Sequence, residues 1–172
     1  MGNQALMIVD VQNDTKENMP RMQEVIENLT KIVTEVRKEE IPIFYLCDWH
    51  TEADPEVKRV GPHCMADTSG AKIVSKVAPT KNDIVIKKRE QNGFSNPKLA
   101  ERLGELNITE VLLTGDLCVY PNAKSLLMND IKVKVFRDAV ASPYGRDKLI
   151  RELQVFDIPL LSTNDFLQTS SG

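Results

Sequence analysis

The stretch EVLLTGDLCVYPNAKSLLMN, from Glu110 to Asn129, passes from a short apolar run into a helical pattern. EVLLT (Glu110–Thr114) reads as a strand and NAKSLLMN (Asn122–Asn129) as a helix. Between them lie a glycine and one cysteine, Cys118. A thiol on a strand-to-helix turn has two readings. It is a small core hydrophobe, or it is a nucleophile beside helix N–H groups that favour a thiolate and hold an oxyanion.

The same alternation recurs along the chain. ALMIV (Ala5–Val9), PIFYL (Pro42–Leu46), DIVIK (Asp83–Lys87), KVKVF (Lys132–Phe136) and PLLS (Pro159–Ser162) read as further strands. Met22, Val25, Ile26, Leu29, Ile32, Val33 and Val36 recur at helical spacing. Asn96–Leu106 reads as a helix with an Asn cap and a first-turn proline, and Arg146–Gln154 as another. Strands and helices in alternation predict a three-layer, doubly wound α/β fold of Rossmann-like form. Its six-stranded sheet is expected to be mostly parallel, with helices on both faces. One domain is expected over residues 1–172. The long segment from Asp48 to Asn82 reads as irregular, and such a segment in a compact domain is usually functional.

Composition narrows the class. Of the 172 residues, 41% are apolar and 27% charged, and the net charge of -3 is spread along the chain, so neither a nucleic-acid patch nor a polybasic membrane anchor is expected. No apolar run is long enough to span a membrane. The start MGNQALMIVD lacks the features of a secretory signal. Met1–Gly2 resembles a myristoylation start, but Leu6 replaces the preferred Ser or Thr. Three cysteines (Cys47, Cys64 and Cys118) favour free thiols in a reducing, cytoplasmic setting over a disulfide framework.

In doubly wound sheets, ligands bind at the carboxyl ends of the strands near the switch in strand order. Asp10 follows the first expected strand, Asp48 and His50 the second, Lys87 and Lys88 the third, and Cys118 the fourth. Asp10 is either a turn cap or a general base. One of the two lysines, on opposite faces of its strand, is either solvated or a cation for a carboxylate and a thiolate. The chain's two histidines, His50 and His63, fall in the long loop with Asp48. They are surface residues or, with Asp48, ligands for zinc, iron or manganese. A structural zinc site using Cys47 and Cys64 is the minor alternative.

Together these pieces resemble the isochorismatase-like cysteine hydrolases, nicotinamidases most closely, with N-carbamoyl amidohydrolases as relatives. LMIVDVQND, CDWH, DPEVKRVGPHCMADTSGAKI, IVIKKREQNGF, GDLCVYPNA and FRDAVAS occur in the family's order over nearly the whole chain. The resemblance implies a catalytic Asp10, Lys88 and Cys118, Lys88 being chosen over Lys87 by its spacing to Phe94. It implies Asp48, His50 and His63 as ligands of a divalent metal, zinc first, with iron or manganese as alternatives. Trp49 and Phe94 would line the substrate pocket, with Glu56 and Arg59 as loop contacts. The implied activity is hydrolysis of a small amide, nicotinamide to nicotinate and ammonia, through a thioester. The alternatives are an N-carbamoyl or ureido amide, an isochorismate-type vinyl ether, or a small-molecule binder with weakened catalysis. A homo-dimer or tetramer is also implied. The turn from Gly115 to Cys118 is shorter than the family's, which usually supplies a second N–H to the oxyanion hole.

Overall fold

A computed structural model describes residues 3–172; Met1 and Gly2, the start weighed as a myristoylation site, lie outside them. The elements run β1 (Asn3–Val9), α1 (Asn13–Asn18), α2 (Met22–Lys38), β2 (Ile43–Asp48), α3 (Pro55–Val60) and β3 (Ile84–Lys88). They continue as α4 (Pro97–Glu105), β4 (Ile108–Gly115), α5 (Val119–Met128), β5 (Lys132–Val140), α6 (Arg146–Gln154), β6 (Leu160–Leu161) and α7 (Thr163–Ser170). The six strands form one sheet in the order β3-β2-β1-β4-β5-β6, and every neighbouring pair is parallel. The order therefore reverses between β1 and β4. No helix among the described residues is long and apolar enough to cross a membrane.

Strand alternation builds the two cores. Ala5, Met7 and Val9 of β1 pack on one face with Phe44, Leu46, Leu99 of α4, Val119 of α5 and Leu149 of α6. Leu6 and Ile8 pack on the other with Ile43, Tyr45 and the apolar stripe of α2. All seven apolar positions named for α2 are buried. β1 is covered on both faces, which is why its sequence is continuously apolar rather than alternating.

Several elements differ from expectation. β5 continues through Arg137 and Asp138 to Val140, because its backbone still pairs with β4 at Gly115. α5 starts at Val119 rather than Asn122. Pro121 suits that first turn, where an N–H would lack a helical partner anyway. α3 interrupts the segment read as irregular, and α1 and α7 are short helices in stretches for which no element was expected. α7 is capped by Ser162, whose side chain accepts the Asp165 N–H, and its Phe166 packs edge-on to Phe136 at 5.3 Å between centroids.

At the reversal point β1 and β4 approach so closely that a side chain is excluded. Gly115 has φ +134°, and a Cβ there would meet the Val9 carbonyl oxygen at 2.0 Å. Gly115→Ala is expected to lower the unfolding free energy by more than about 2 kcal/mol. Urea denaturation measures it, and a change below about 0.5 kcal/mol would contradict the close approach.

Candidate active site

Asp10 leaves β1 in the left-handed region, at φ 55°, with its N–H donated to the Leu46 carbonyl at 2.8 Å. That turn buries its carboxyl completely. Lys88 ends β3 directly beside Asp48, the last residue of β2. Its buried ammonium donates to Asp10 at 3.1 Å and to Asp48 Oδ1 at 2.5 Å. Lys88 Nζ also lies 3.1 Å from Asp10 Oδ1, an ion-pair contact without aligned hydrogen-bond geometry. Carboxyl oxygens of Asp10 and Asp116 and the Cys118 sulfur all lie within 4.8 Å of one another. The three residues inferred as a catalytic set, Asp10, Lys88 and Cys118, thus meet at the switch point.

Electrostatics set their resting protonation. Burial, then the Asp48 charge, raises Asp10 to about 6, against the pull of Lys88 and of the neighbouring Cys118 thiol. Burial disfavours the Lys88 ammonium, yet the Asp10 and Asp48 carboxylates hold it well above its ordinary value. Burial above all pushes the Cys118 thiol well above its ordinary value, and the Asp10 and Asp48 charges add to it. This corrects the expected readily formed thiolate. Carboxyl groups outnumber the single ammonium, and the helix N-terminus does not offset them. The resting pair is a thiol beside a carboxylate base.

The expected metal residues also converge. Ligand atoms of Asp48, His50 and His63 lie within 4.8 Å of one another. His50 Nδ1 faces Asp54 Oδ2 at 3.2 Å, and His63 Nδ1 faces the Gly61 carbonyl at 2.9 Å. Each acceptor fixes its ring with the proton on Nδ1, leaving an Nε2 lone pair. His50 Nε2 is buried without a hydrogen-bond partner. An orphaned imidazole nitrogen beside a carboxylate and a second imidazole fits a divalent cation, and three protein ligands leave positions open. Neither Cys47 nor Cys64 joins this set, and all three cysteines are free.

Both groups border a cavity of about 530 Å³, whose walls include Asp48, His63, Asp116, Cys118, Arg59 and Tyr144. Glu56 also lines it, 3.9 Å from Arg59 on α3. Trp49 and Phe94 are not on this wall. Asp48 and His50 face the site, so extended backbone sends Cys47 and Trp49 the other way. There Lys87 Nζ stacks 3.8 Å from the Trp49 ring centroid. Phe94 instead packs half-buried against the core beneath α4 and α5.

Sequence reasoning passed over several supporting groups. Gln12 clamps Asp48 through both backbone groups, at 2.8 and 2.9 Å, and also donates to the Ala71 carbonyl at 2.8 Å. Asp54 holds His50 and is itself held by Thr51 and Arg89. Asn122 ties the Cys118 carbonyl to the Gln91 carbonyl and the Gly93 N–H. Asp116 accepts the Cys118 N–H at 2.9 Å. All four belong to the quoted motifs, but polar residues near strand ends carry no periodic signal that separates a clamp from a surface group.

Fold and site thus define a doubly wound α/β protein with a buried Cys–Asp–Lys cluster beside a metal-competent one. The chain belongs to the isochorismatase family of hydrolases: the isochorismatase domain model matches residues 4–164. It is 24% identical over 153 residues to the uncharacterized isochorismatase family protein YaaI of Bacillus subtilis, covering 84% of each chain. It is similar to the crystal structure of N-carbamoylsarcosine amidase from Thermoplasma acidophilum, with TM-score 0.85, 26% identity and coverage of 95% of this chain and 97% of that one. Pyrazinamidase of Pyrococcus horikoshii, crystallised in complex with zinc, shares the fold at TM-score 0.83 and 24% identity, over 93% of this chain and 99% of its own.

Two outcomes follow from this geometry. Cys118 should alkylate at least about tenfold more slowly at pH 7 than a free cysteine, and speed up at alkaline pH. A rate equal to or above that of free cysteine would contradict the raised thiol. Asp54→Ala should weaken zinc binding by about 10–100-fold, since His50 loses its orienting acceptor. Titration against a metal indicator checks it, and unchanged affinity would remove His50 from the ligand set.

Proposed function

We propose that the protein is a cysteine-dependent amidohydrolase of the nicotinamidase type, converting nicotinamide and water to nicotinate and ammonia. The observation that carries this reading is the Cys118–Asp10–Lys88 cluster opening onto a cavity that Asp48 and His63 also line. The Asp10 carboxylate takes the thiol proton as Cys118 sulfur bonds to the amide carbon. Lys88 stays positive and keeps the Asp10 and Asp48 charges in place. The tetrahedral adduct then expels ammonia, which receives that proton from Asp10, and a thioester remains. Water attacks the thioester and gives a proton to Asp10. The carbon–sulfur bond breaks, and Asp10 returns the proton to the sulfur.

A divalent metal, zinc first, would be held by Asp48, His50 and His63 and supply a Lewis acid on the cavity wall. The zinc complex of the pyrazinamidase supports that choice. A second substrate class, an N-carbamoyl amino acid, is favoured by Arg59 on the cavity wall. A guanidinium there suits a substrate carboxylate, and the similarity to N-carbamoylsarcosine amidase points the same way.

Ammonia release from nicotinamide, and from N-carbamoyl amino acids, tests both readings. Nicotinamide turnover is expected with zinc added, and Cys118→Ala should lower it by at least about a thousandfold. Activity should fall as pH drops below about 6, where Asp10 gains a proton and can no longer act as base. Turnover confined to the carbamoyl substrates would select the second class. No ammonia from either would refute the amidohydrolase reading.

A further inference from the structure

The turn before Cys118 holds a carboxyl that this mechanism leaves unused. Asp116 is only 5% exposed, yet it lines the substrate cavity. Its Oδ1 accepts the Cys118 N–H at 2.9 Å, and its carboxyl lies within 4.8 Å of both the Asp10 carboxyl and the Cys118 sulfur.

Charge placement says which form it takes. Asp10 from β1, Asp48 from β2, Lys88 from β3 and Cys118 at the head of α5 surround it electrostatically. The one ammonium bonds Asp10 and Asp48 and not Asp116. A buried carboxylate without a cation is strongly disfavoured, so Asp116 keeps its proton. Burial, then the Asp10 and Asp48 charges, holds it well above the usual carboxylate range. A neutral carboxyl has one acceptor oxygen and one O–H donor. With Oδ1 accepting from Cys118, the donor is Oδ2.

The shortened turn is poor in other donors. The Asp116 N–H bonds the Val9 carbonyl, the Val119 N–H the Asp116 carbonyl, and the Tyr120 N–H the Leu117 carbonyl. The Cys118 N–H is taken by Asp116. Of the N–H groups from Asp116 to Tyr120, the Leu117 N–H alone donates to no group among the described residues. Acyl transfer needs donors aimed at the oxygen that gains charge.

We propose that Asp116 is a catalytic hydrogen-bond donor, its Oδ2–H donating to the amide carbonyl oxygen as that oxygen becomes negative, alongside the Leu117 N–H. The proton stays on Asp116 throughout, so no transfer is required. A protonated aspartate in the oxyanion hole of ketosteroid isomerase is a precedent on an unrelated protein. The assignment rests on the amidohydrolase reading.

The test compares wild type, Asp116→Ala and Asp116→Asn in steady-state ammonia release, with infrared spectra of the same proteins. Asn keeps both an acceptor for the Cys118 N–H and a donor. D116A is expected to lose about 10²–10³ in kcat with KM little changed, while D116N stays within about tenfold of wild type. The carbonyl stretch of a protonated carboxylic acid at pH 7 should disappear in D116N. Wild-type kcat should fall at alkaline pH along a limb that D116N lacks, which decides the matter if D116A fails to fold. A D116A protein with a lowered Tm and unchanged kcat would make Asp116 a helix cap and overturn the role. So would equal losses in both variants, or an absent infrared band. A wild type that hydrolyses no amide overturns the amidohydrolase reading and the role with it; an active wild type matched by D116A overturns the role alone.

Discussion

The site depends on one buried ammonium. Lys88 is 2% exposed and bonded to two carboxylates, Asp10 and Asp48, that come from separate strands. Any one of these charges alone would be expelled from such a place. Together they are tolerated, and removing one partner from a buried set of this kind typically destabilises by about 3–5 kcal/mol. The ion triad therefore joins the site to the sheet: Asp10 lies beside the Cys118 thiol, Asp48 beside His50 and His63, and Lys88 bonds both carboxylates. It also leaves Asp116 without a hydrogen-bonded cation, and burial then disfavours its ionised form.

Backbone geometry delivers these groups to one place. β1 and β4 are neighbours at the reversal of strand order, so Asp10 and Cys118 end up side by side although distant in sequence. Gly115 permits the approach, and the left-handed turn at Asp10 directs its carboxyl inward. At the ends of β2 and β3, two-residue alternation sorts side chains to opposite faces. Asp48, His50 and Lys88 face the site, while Cys47, Trp49 and Lys87 build a separate cavity.

The same alternation explains what the sequence disclosed. Continuous apolar runs and the stripe of α2 are strong signals, so the strands and the long helix were legible, as was the layered arrangement. Asp10, Asp48, His50, Cys118 and the pair Lys87 and Lys88 stood out because titratable groups at strand ends share one edge by topology; His63 stood out as the long loop's second histidine, and Lys88 was separated from Lys87 by the family resemblance. Trp49 was set in the pocket by the resemblance alone, whereas strand alternation, already applied to Lys87 and Lys88, sends it to the other face with Cys47 and Lys87. The protonation of Cys118 was not legible. It depends on how many carboxyls surround one ammonium, a three-dimensional count that no local pattern contains. Asp116 stayed hidden for the same reason, sitting two residues before the cysteine and reading as an ordinary turn residue.

The account centres on Cys118 as the atom that takes the acyl group. Acid quenching during turnover of nicotinamide, followed by intact-protein and peptide mass measurement, tests this directly. The predicted result is an added nicotinoyl mass on the peptide carrying Cys118 that disappears when substrate is exhausted. Steady ammonia release with no acyl adduct, or an adduct on another residue, would contradict it.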